Sequence, residues 1–310
     1  MSNVSTRPLG HSGIQVSVVG LGANNFGRRL DQAQTRAVLD AAIEAGITFV
    51  DTADRYGDTL SEQYIGEALN GRRDKVVLAT KFGLDLGDGW EGARGSAAYI
   101  RHALENSLRR LQTDVIDVYW YHRPDGVTPI QETLQALDEQ VKAGKVRAIG
   151  ASNFSAKQIQ AADDAARADG LTRFTAIQNE YSLLEREAEA DVLPLCERLD
   201  IAFIPYFPLA SGLLTGKYQR GQAAPEGTRL SGREQIASDE QWQTVEQLTD
   251  YARERGLSLT QVAIGALLAQ PAVASVIAGA TKPEQIEANA AAAAWNPSAD
   301  DLSALRRLLG

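Results

Sequence analysis

The stretch "ITFVDTADRYGDTLSEQYIGEALNGRRDKVVLATK" (residues 47–81) decides the fold. It opens on a short apolar run, "ITFVD", whose β-branched and aromatic residues read as a buried strand. Helical periodicity follows at about 61–70, and "KVVLATK" (75–81) reads as a second buried strand. Two apolar strands separated by a helix are a parallel pair, because parallel strands need a crossover connection. The same unit recurs in both directions. Before it lie "VSVVGLG" (16–22) and a helix near 33–45. After it come a helix near 97–111, "DVIDVYWYH" (114–122), a helix near 129–143, "VRAIGASN" (146–153) and a helix near 156–168. "FTAIQNE" (174–180), a helix near 186–199, "IAFIPYFP" (201–208), a helix near 258–269, "ASVIAGAT" (274–281) and a helix near 284–294 complete the series. Eight strands and eight helices in strict order predict one α/β domain over residues 1–310, an eight-stranded parallel (β/α)8 TIM barrel.

The competing arrangement is an open doubly wound sheet. It needs a glycine fingerprint after its first strand. "GLGANNFG" supplies Gly20 and Gly22 but has Asn25 at the third position, so the fingerprint fails. Three segments lie outside the repeat. Residues 5–16 read as an N-terminal β-hairpin that turns on Gly10 and Gly13 and caps the barrel bottom. Residues 207–240 are too long and glycine-rich for a passive connection and read as a lid or binding loop. Extra C-terminal helices are expected at 239–255 and in "ADDLSALRRLL".

Composition narrows the function. The chain has 310 residues, 44% hydrophobic and 23% charged, with a net charge of −9 that disfavours a nucleic-acid face. Cys196 is the only cysteine, so no internal disulfide forms, and its helical setting reads as buried filler. No apolar run is long enough to span a membrane, and the first residues lack a signal core. A cytoplasmic protein is the expectation, with no nucleic-acid or membrane partner and no bound metal.

In this barrel the active site lies where the strands end. Those ends supply Gly22, Ala23 and Asn24, then Asp51 with Tyr56 beyond it, Lys81, His122, Ser152 and Asn153, Gln178, Tyr206, and finally Gly279 and Thr281. Singly, each has a bland explanation, such as a helix cap or a solvated charge. His11 and His102 read as structural. His122 differs because it ends a strand that Arg123, Pro124 and Asp125 then break. Asp51, Tyr56, Lys81 and His122 on one face form a constellation.

The chain resembles an aldo-keto reductase over its whole length, in "FVDTADRYG", "LATKFG", "DVYWYHRPD", "IGASNFS", "IQNEYSLL", "PLASGLLTGKY" and "GATKPEQIEAN". The resemblance implies hydride transfer between a nicotinamide cofactor and a small-molecule carbonyl substrate. It casts Tyr56 as general acid, Lys81 as the ammonium that eases the loss of its proton, Asp51 as the lysine's anchor and His122 as the group that orients the carbonyl. Ser152, Asn153 and Gln178 are expected at the nicotinamide carboxamide, with Tyr206 stacked on the ring. Phe207, Pro208, Leu209, Ser211, Gly212, Leu214 and Lys217 then cover the pyrophosphate. Gly279, Thr281, Lys282, Gln285 and Asn289 face the adenosine end, where Thr281 with Glu284 reads as a capping box. Gly22, Ala23, Asn24 and Asp51 complete the cofactor set.

Relatives that prefer NADPH usually carry an arginine after strand eight, where this chain has only Lys282 as a cation. NADPH is the expected cofactor, with NADH possible. The substrate-binding candidates are Tyr56, Trp90, His122 and Arg123, with Phe26 and Trp120 also in view. Alternation sets Trp120 opposite Tyr119 and Tyr121, so it is divided between pocket and core. The alternatives are an NAD-dependent sugar or alcohol dehydrogenase, or a nucleotide-binding regulatory subunit. The oligomeric state is open.

Overall fold

The computed structural model describes residues 4–310. Its strands are β1 (Thr6–Pro8), β2 (Gln15–Ser17), β3 (Val19–Gly22), β4 (Phe49–Asp51), β5 (Val77–Phe82), β6 (Ile116–Tyr121), β7 (Val146–Ser152), β8 (Ala176–Gln178), β9 (Ala202–Phe203) and β10 (Val276–Gly279). The helices are α1 (Gln32–Glu44), α2 (Leu60–Ala68), α3 (Ala97–Leu111), α4 (Ile130–Lys142), α5 (Ala156–Asp169), α6 (Val192–Leu199), α7 (Asp239–Glu254), α8 (Leu259–Leu268), α9 (Pro283–Ala292) and α10 (Ala299–Leu309).

Eight strands form one parallel sheet in the order β10-β3-β4-β5-β6-β7-β8-β9. The remaining seam is closed thinly. Phe203 bridges Val273, the Ile277 amide donates to the Pro205 carbonyl at 3.1 Å, and β9 is only two residues long. Pro205 has no N–H to extend that ladder. The predicted (β/α)8 barrel is therefore present, curled shut through its shortest strand.

β1 and β2 pair antiparallel, with Gly13 in the left-handed region at φ 73°. Sequence periodicity ran the first barrel strand back to Val16. Instead the chain breaks at Val18, and Val16 belongs to the hairpin. Ser17 accounts for the break. Its buried hydroxyl donates to the Val19 carbonyl and accepts from the amides of Thr48 and Phe49. The hairpin's Leu9, Ile14 and Val16 are buried in the same apolar cluster as the barrel interior, so the hairpin closes the barrel floor.

Two apolar layers follow from the alternation of β side chains. Phe49, Ala79, Val118, Trp120, Ala148, Ala176, Ala202, Ile204, Ala274 and Ile277 fill the lumen. Trp120 explains the many alanines. A Cβ on Gly150 would lie 2.4 Å from its ring, so Gly150 is the vacancy that the indole fills. Trp120 is thus core and not pocket wall. Tyr119 and Tyr121 face the helices, where both stack on Phe82. Of the helix starts, Ser155 with Gln158 forms the capping box that its sequence announces. α6 begins at Val192, later than periodicity suggested, behind a 3-10 turn at Glu187–Glu189.

Candidate active site

The lumen changes character one layer above its apolar filling. Two residues on from Phe49, Ala79, Trp120, Gly150 and Ala176 stand Asp51, Lys81, His122, Ser152 and Gln178. These five lumen-facing positions turn polar where the apolar filling ends.

Lys81 is fully buried at the centre. Its ammonium donates to Asp51 Oδ2 and, at 2.7 Å, to the Thr52 carbonyl. Gln178 Nε2 donates to Asp51 Oδ1 at 3.0 Å. Burial works against the lysine's charge, but Asp51 and Tyr56 outweigh it and its pKa ends raised. The Lys81 Nζ lies 5.1 Å from the Tyr56 ring centroid. The rings of Tyr56 and His122 meet edge to face, with centroids 6.1 Å apart. The four predicted residues therefore share one cluster.

Two of its protonation states are informative. Desolvation raises the Tyr56 pKa despite the opposing pull of Lys81. The sequence reading expected the ammonium to lower it. Burial of the phenolate is the larger effect, so Tyr56 is held as a protonated phenol. His122 moves the other way. Burial first, then the charges of Lys81, Arg123 and Arg55, bring it down to about 3. It is a neutral imidazole at ordinary pH, and its buried Nδ1 has no partner among the described residues.

The residues expected at a carboxamide are already partly engaged. Asn153 stands at φ 60°. Its Nδ2 donates to the His122 carbonyl and to Ser152 Oγ, both at 3.0 Å, and its Oδ1 accepts from the Tyr206 hydroxyl at 2.8 Å. Asn153 is thus a brace linking β6, β7 and Tyr206. Among the described residues the Ser152 hydroxyl hydrogen and Gln178 Oε1 are left without a hydrogen-bond partner. Asn24 Oδ1 is buried without a partner among the described residues, beside Gly279.

The long loop holds a run of left-handed backbone at Phe207, Ala210, Ser211 and Gly212. A Cβ on Gly212 would come within 2.6 Å of Lys217 Nζ, so the ammonium lies directly over this turn. Pro208, Leu209 and Leu214 are its apolar backing. Arg229 was missed in the sequence reading. Its guanidinium stacks 4.4 Å from the Phe207 ring centroid and is the cation of this loop that acts on Tyr56. The available signal was a single arginine in the glycine- and proline-rich "APEGTRL".

At the other end the predicted Thr281–Glu284 capping box does not form. Pro283 takes the first helical position, which makes Lys282 the cap, without a side-chain bond. Gln285 reaches back instead, its Oε1 accepting from the Thr281 amide at 2.7 Å and hydroxyl at 3.2 Å. Lys282 is exposed and Asn289 is buried. Trp90 packs on Tyr99 and His102 of α3 and makes no aromatic contact with Tyr56 or His122. Arg123 is exposed immediately after His122.

Comparison with known proteins identifies the family and agrees with the fold. The model of the Aldo/keto reductase family matches residues 18–309. The chain is 36% identical to the aldo-keto reductase YhdN of Bacillus subtilis (strain 168), over 97% of this chain and 92% of that protein. It is 38% identical to a probable voltage-gated potassium channel subunit beta of Oryza sativa subsp. japonica, over 91% and 88%. The solved holo form of aldo-keto reductase AKR11C1 from Bacillus halodurans superposes with a TM-score of 0.82 at 31% identity, covering 99% of this chain and 96% of that one. With the fold, the order of its strands and these relatives in agreement, the chain belongs to the aldo/keto reductase family and is an oxidoreductase of that class.

Proposed function

We propose that the protein reduces aldehydes or ketones to alcohols, with Tyr56 donating the proton and NADPH as the preferred cofactor. The observation that carries this reading is the buried Asp51–Lys81–Tyr56 array beside a neutral His122. A bound nicotinamide supplies the hydride. The residues do the rest. A carbonyl oxygen that gains negative charge needs a proton donor at hand, and Tyr56 is held protonated for that task. Loss of that proton leaves a phenolate, which the adjacent Lys81 stabilises. Asp51 keeps the lysine charged. A neutral imidazole at His122 donates a hydrogen bond to the same oxygen without itself giving up a proton.

Several features fit a dinucleotide. Gln178 Oε1 and the Ser152 hydroxyl, on register partners of β8 and β7, offer an acceptor and a donor for an amide. The left-handed turn at 210–212, under Lys217 and near Arg229, suits phosphate oxygens. Lys282 is the cation nearest in sequence to the expected adenosine end and acts on a 2′-phosphate as a point charge rather than a bidentate clamp. That favours NADPH while leaving NADH usable.

The test follows absorbance during oxidation of NADPH and NADH, in parallel, with 4-nitrobenzaldehyde. Tyr56→Phe is expected to lower kcat by about 10²–10⁴-fold, the usual worth of a positioned proton donor, while dinucleotide binding persists. Undiminished turnover by this variant removes Tyr56 from the chemistry. Faster turnover with NADH reverses the cofactor assignment. A similarity to a channel subunit also exists, and a dinucleotide-binding protein without any turnover of carbonyls or alcohols is the outcome that favours that reading.

A further inference from the structure

We infer that the carbonyl substrate carries an oxyanionic group, a carboxylate or a phosphate ester, which Arg123 and Arg55 bind at the mouth of the site. This rests on the reductase reading above and adds the substrate's charge to it.

The charge pattern is unusual for a chain with a net charge of −9. Many arginines elsewhere are paired with carboxylates: Arg72 with Asp40, Arg73 and Arg147 with Asp117, Arg110 with Glu62, Arg173 with Asp163. Beside Tyr56 and His122 this stops. Among the described residues Arg123 and Arg229 have no ion pair or hydrogen bond, and Arg55 bonds only the Asp85 backbone carbonyl. Arg229 lies among Arg28, Arg29 and Arg233, over the left-handed phosphate turn, and a dinucleotide's phosphates account for that group.

Arg55 and Arg123 are a separate pair. Arg55 precedes Tyr56 and Arg123 follows His122 in the chain, so each is carried by the backbone of a reacting residue. They are also, after Lys81, the cations His122 faces. Both are mounted on fixed supports. The His122 carbonyl is held by Asn153, and two residues past Arg123 the Asp125 carboxylate accepts the Gly95 amide at 2.7 Å and the Thr128 amide at 2.9 Å. Arg55 is tethered through Asp85, whose carboxylate is in turn taken by Arg94. Two guanidinium groups that both act on His122, with donors to spare and, among the described residues, no carboxylate bonded to either, suit the planar or tetrahedral oxygens of an anion.

The experiment compares 4-carboxybenzaldehyde with 4-nitrobenzaldehyde, and glyceraldehyde 3-phosphate with glyceraldehyde, in the full-length protein with its cofactor. The anionic member of one pair should lead its neutral partner in kcat/KM, and which pair shows it separates carboxylate from phosphate. In Arg123→Ala and Arg55→Ala that anionic-to-neutral ratio should fall by about tenfold or more, the scale of one charge-assisted hydrogen bond. The loss should appear in KM, and Arg123→Lys should restore part of it. A wild-type enzyme without preference for either anion, or a ratio unmoved by both substitutions, overturns the inference. If no aldehyde is reduced, the reductase reading fails separately. Benzoate binding, followed by tryptophan fluorescence, then decides the site. Binding weakened tenfold by Arg123→Ala supports the pair as an anion site, and binding that is absent or unchanged refutes it.

Discussion

Asp54 lies three residues beyond Asp51, and the two carboxyl groups have opposite fates. Asp51 is fully partnered, its two oxygens accepting from Lys81 and Gln178. Asp54 is as fully buried, yet among the described residues neither its oxygens nor the nearby Tyr119 hydroxyl, on which its charge acts, has a side-chain partner. Burial, and then the nearby Glu62, raise its pKa well above the usual carboxyl range. A group whose folded pKa is raised gives stability that is present below the unfolded value and is lost as pH rises through the folded one. Asp54→Asn should therefore be neutral near pH 4 and increasingly stabilising towards pH 8. Each unit of the shift that is titrated contributes about 1.4 kcal/mol. Thermal or urea unfolding across that range checks it, and an equal loss at both ends would show that Asp54 acts as an ionised partner. His122 yields a complementary expectation. With its pKa down at about 3, kcat/KM should be flat from pH 5 to 8, with no inflection near the ordinary histidine value. An inflection there that vanishes in His122→Gln would place a protonated imidazole in the mechanism.

Single elements show where local sequence carries the design and where it does not. The loop after β9 combines left-handed backbone at 210–212 with Lys217 lying on Gly212, the arrangement proposed above to hold phosphates. Gly212→Ala meets two penalties. A Cβ is strained at φ 99°, and it displaces the ammonium. Dinucleotide affinity should fall by about tenfold, or roughly 1.4 kcal/mol, through the displaced ammonium, while the backbone strain should lower the melting temperature without dinucleotide by about a few degrees. Unaltered affinity, measured by fluorescence titration, would move the phosphates elsewhere. The long loop and the strand ends were legible because apolar β-branched runs stop abruptly at polar residues. The capping at Ser155 was legible for the same local reason. The start of α9 misled, although Pro283 carried the signal that moves the cap to Lys282. Other features needed partners distant in sequence. Asn153 appears free until His122 and Tyr206 are seen to claim its amide. Trp120 is core only because Gly150, thirty positions away, makes room for it. Arg229 matters because it reaches Phe207 and Tyr56 across its own loop.

For the whole molecule, the barrel's weakest line and its proposed ligand coincide. β6 and β7 are registered from Ile116 to Tyr121, whereas the last seam rests on one bridge and the bonds around Phe203, Ala274 and Ile277. Few hydrogen bonds and a proline make that seam the place where the cylinder should open first. The loop that leaves β9 bears the turn at 210–212, and β10 ends at Gly279 beside Asn24. A dinucleotide spanning these two regions ties the seam's strands together from above. Hydrogen exchange should therefore show early loss of protection at the amides of Phe203, Ala274 and Ile277, well before Tyr119 and Ile149. Saturating dinucleotide should then slow exchange at the seam most. If opening abolishes binding, a hundredfold excess over Kd adds about 2.7 kcal/mol to the opening free energy, close to a hundredfold in rate. Seam amides that exchange no faster than those of β6 and β7, or that ignore the ligand, would mean that the barrel is closed by its packing against Trp120 and the floor hairpin rather than by its edge bonds.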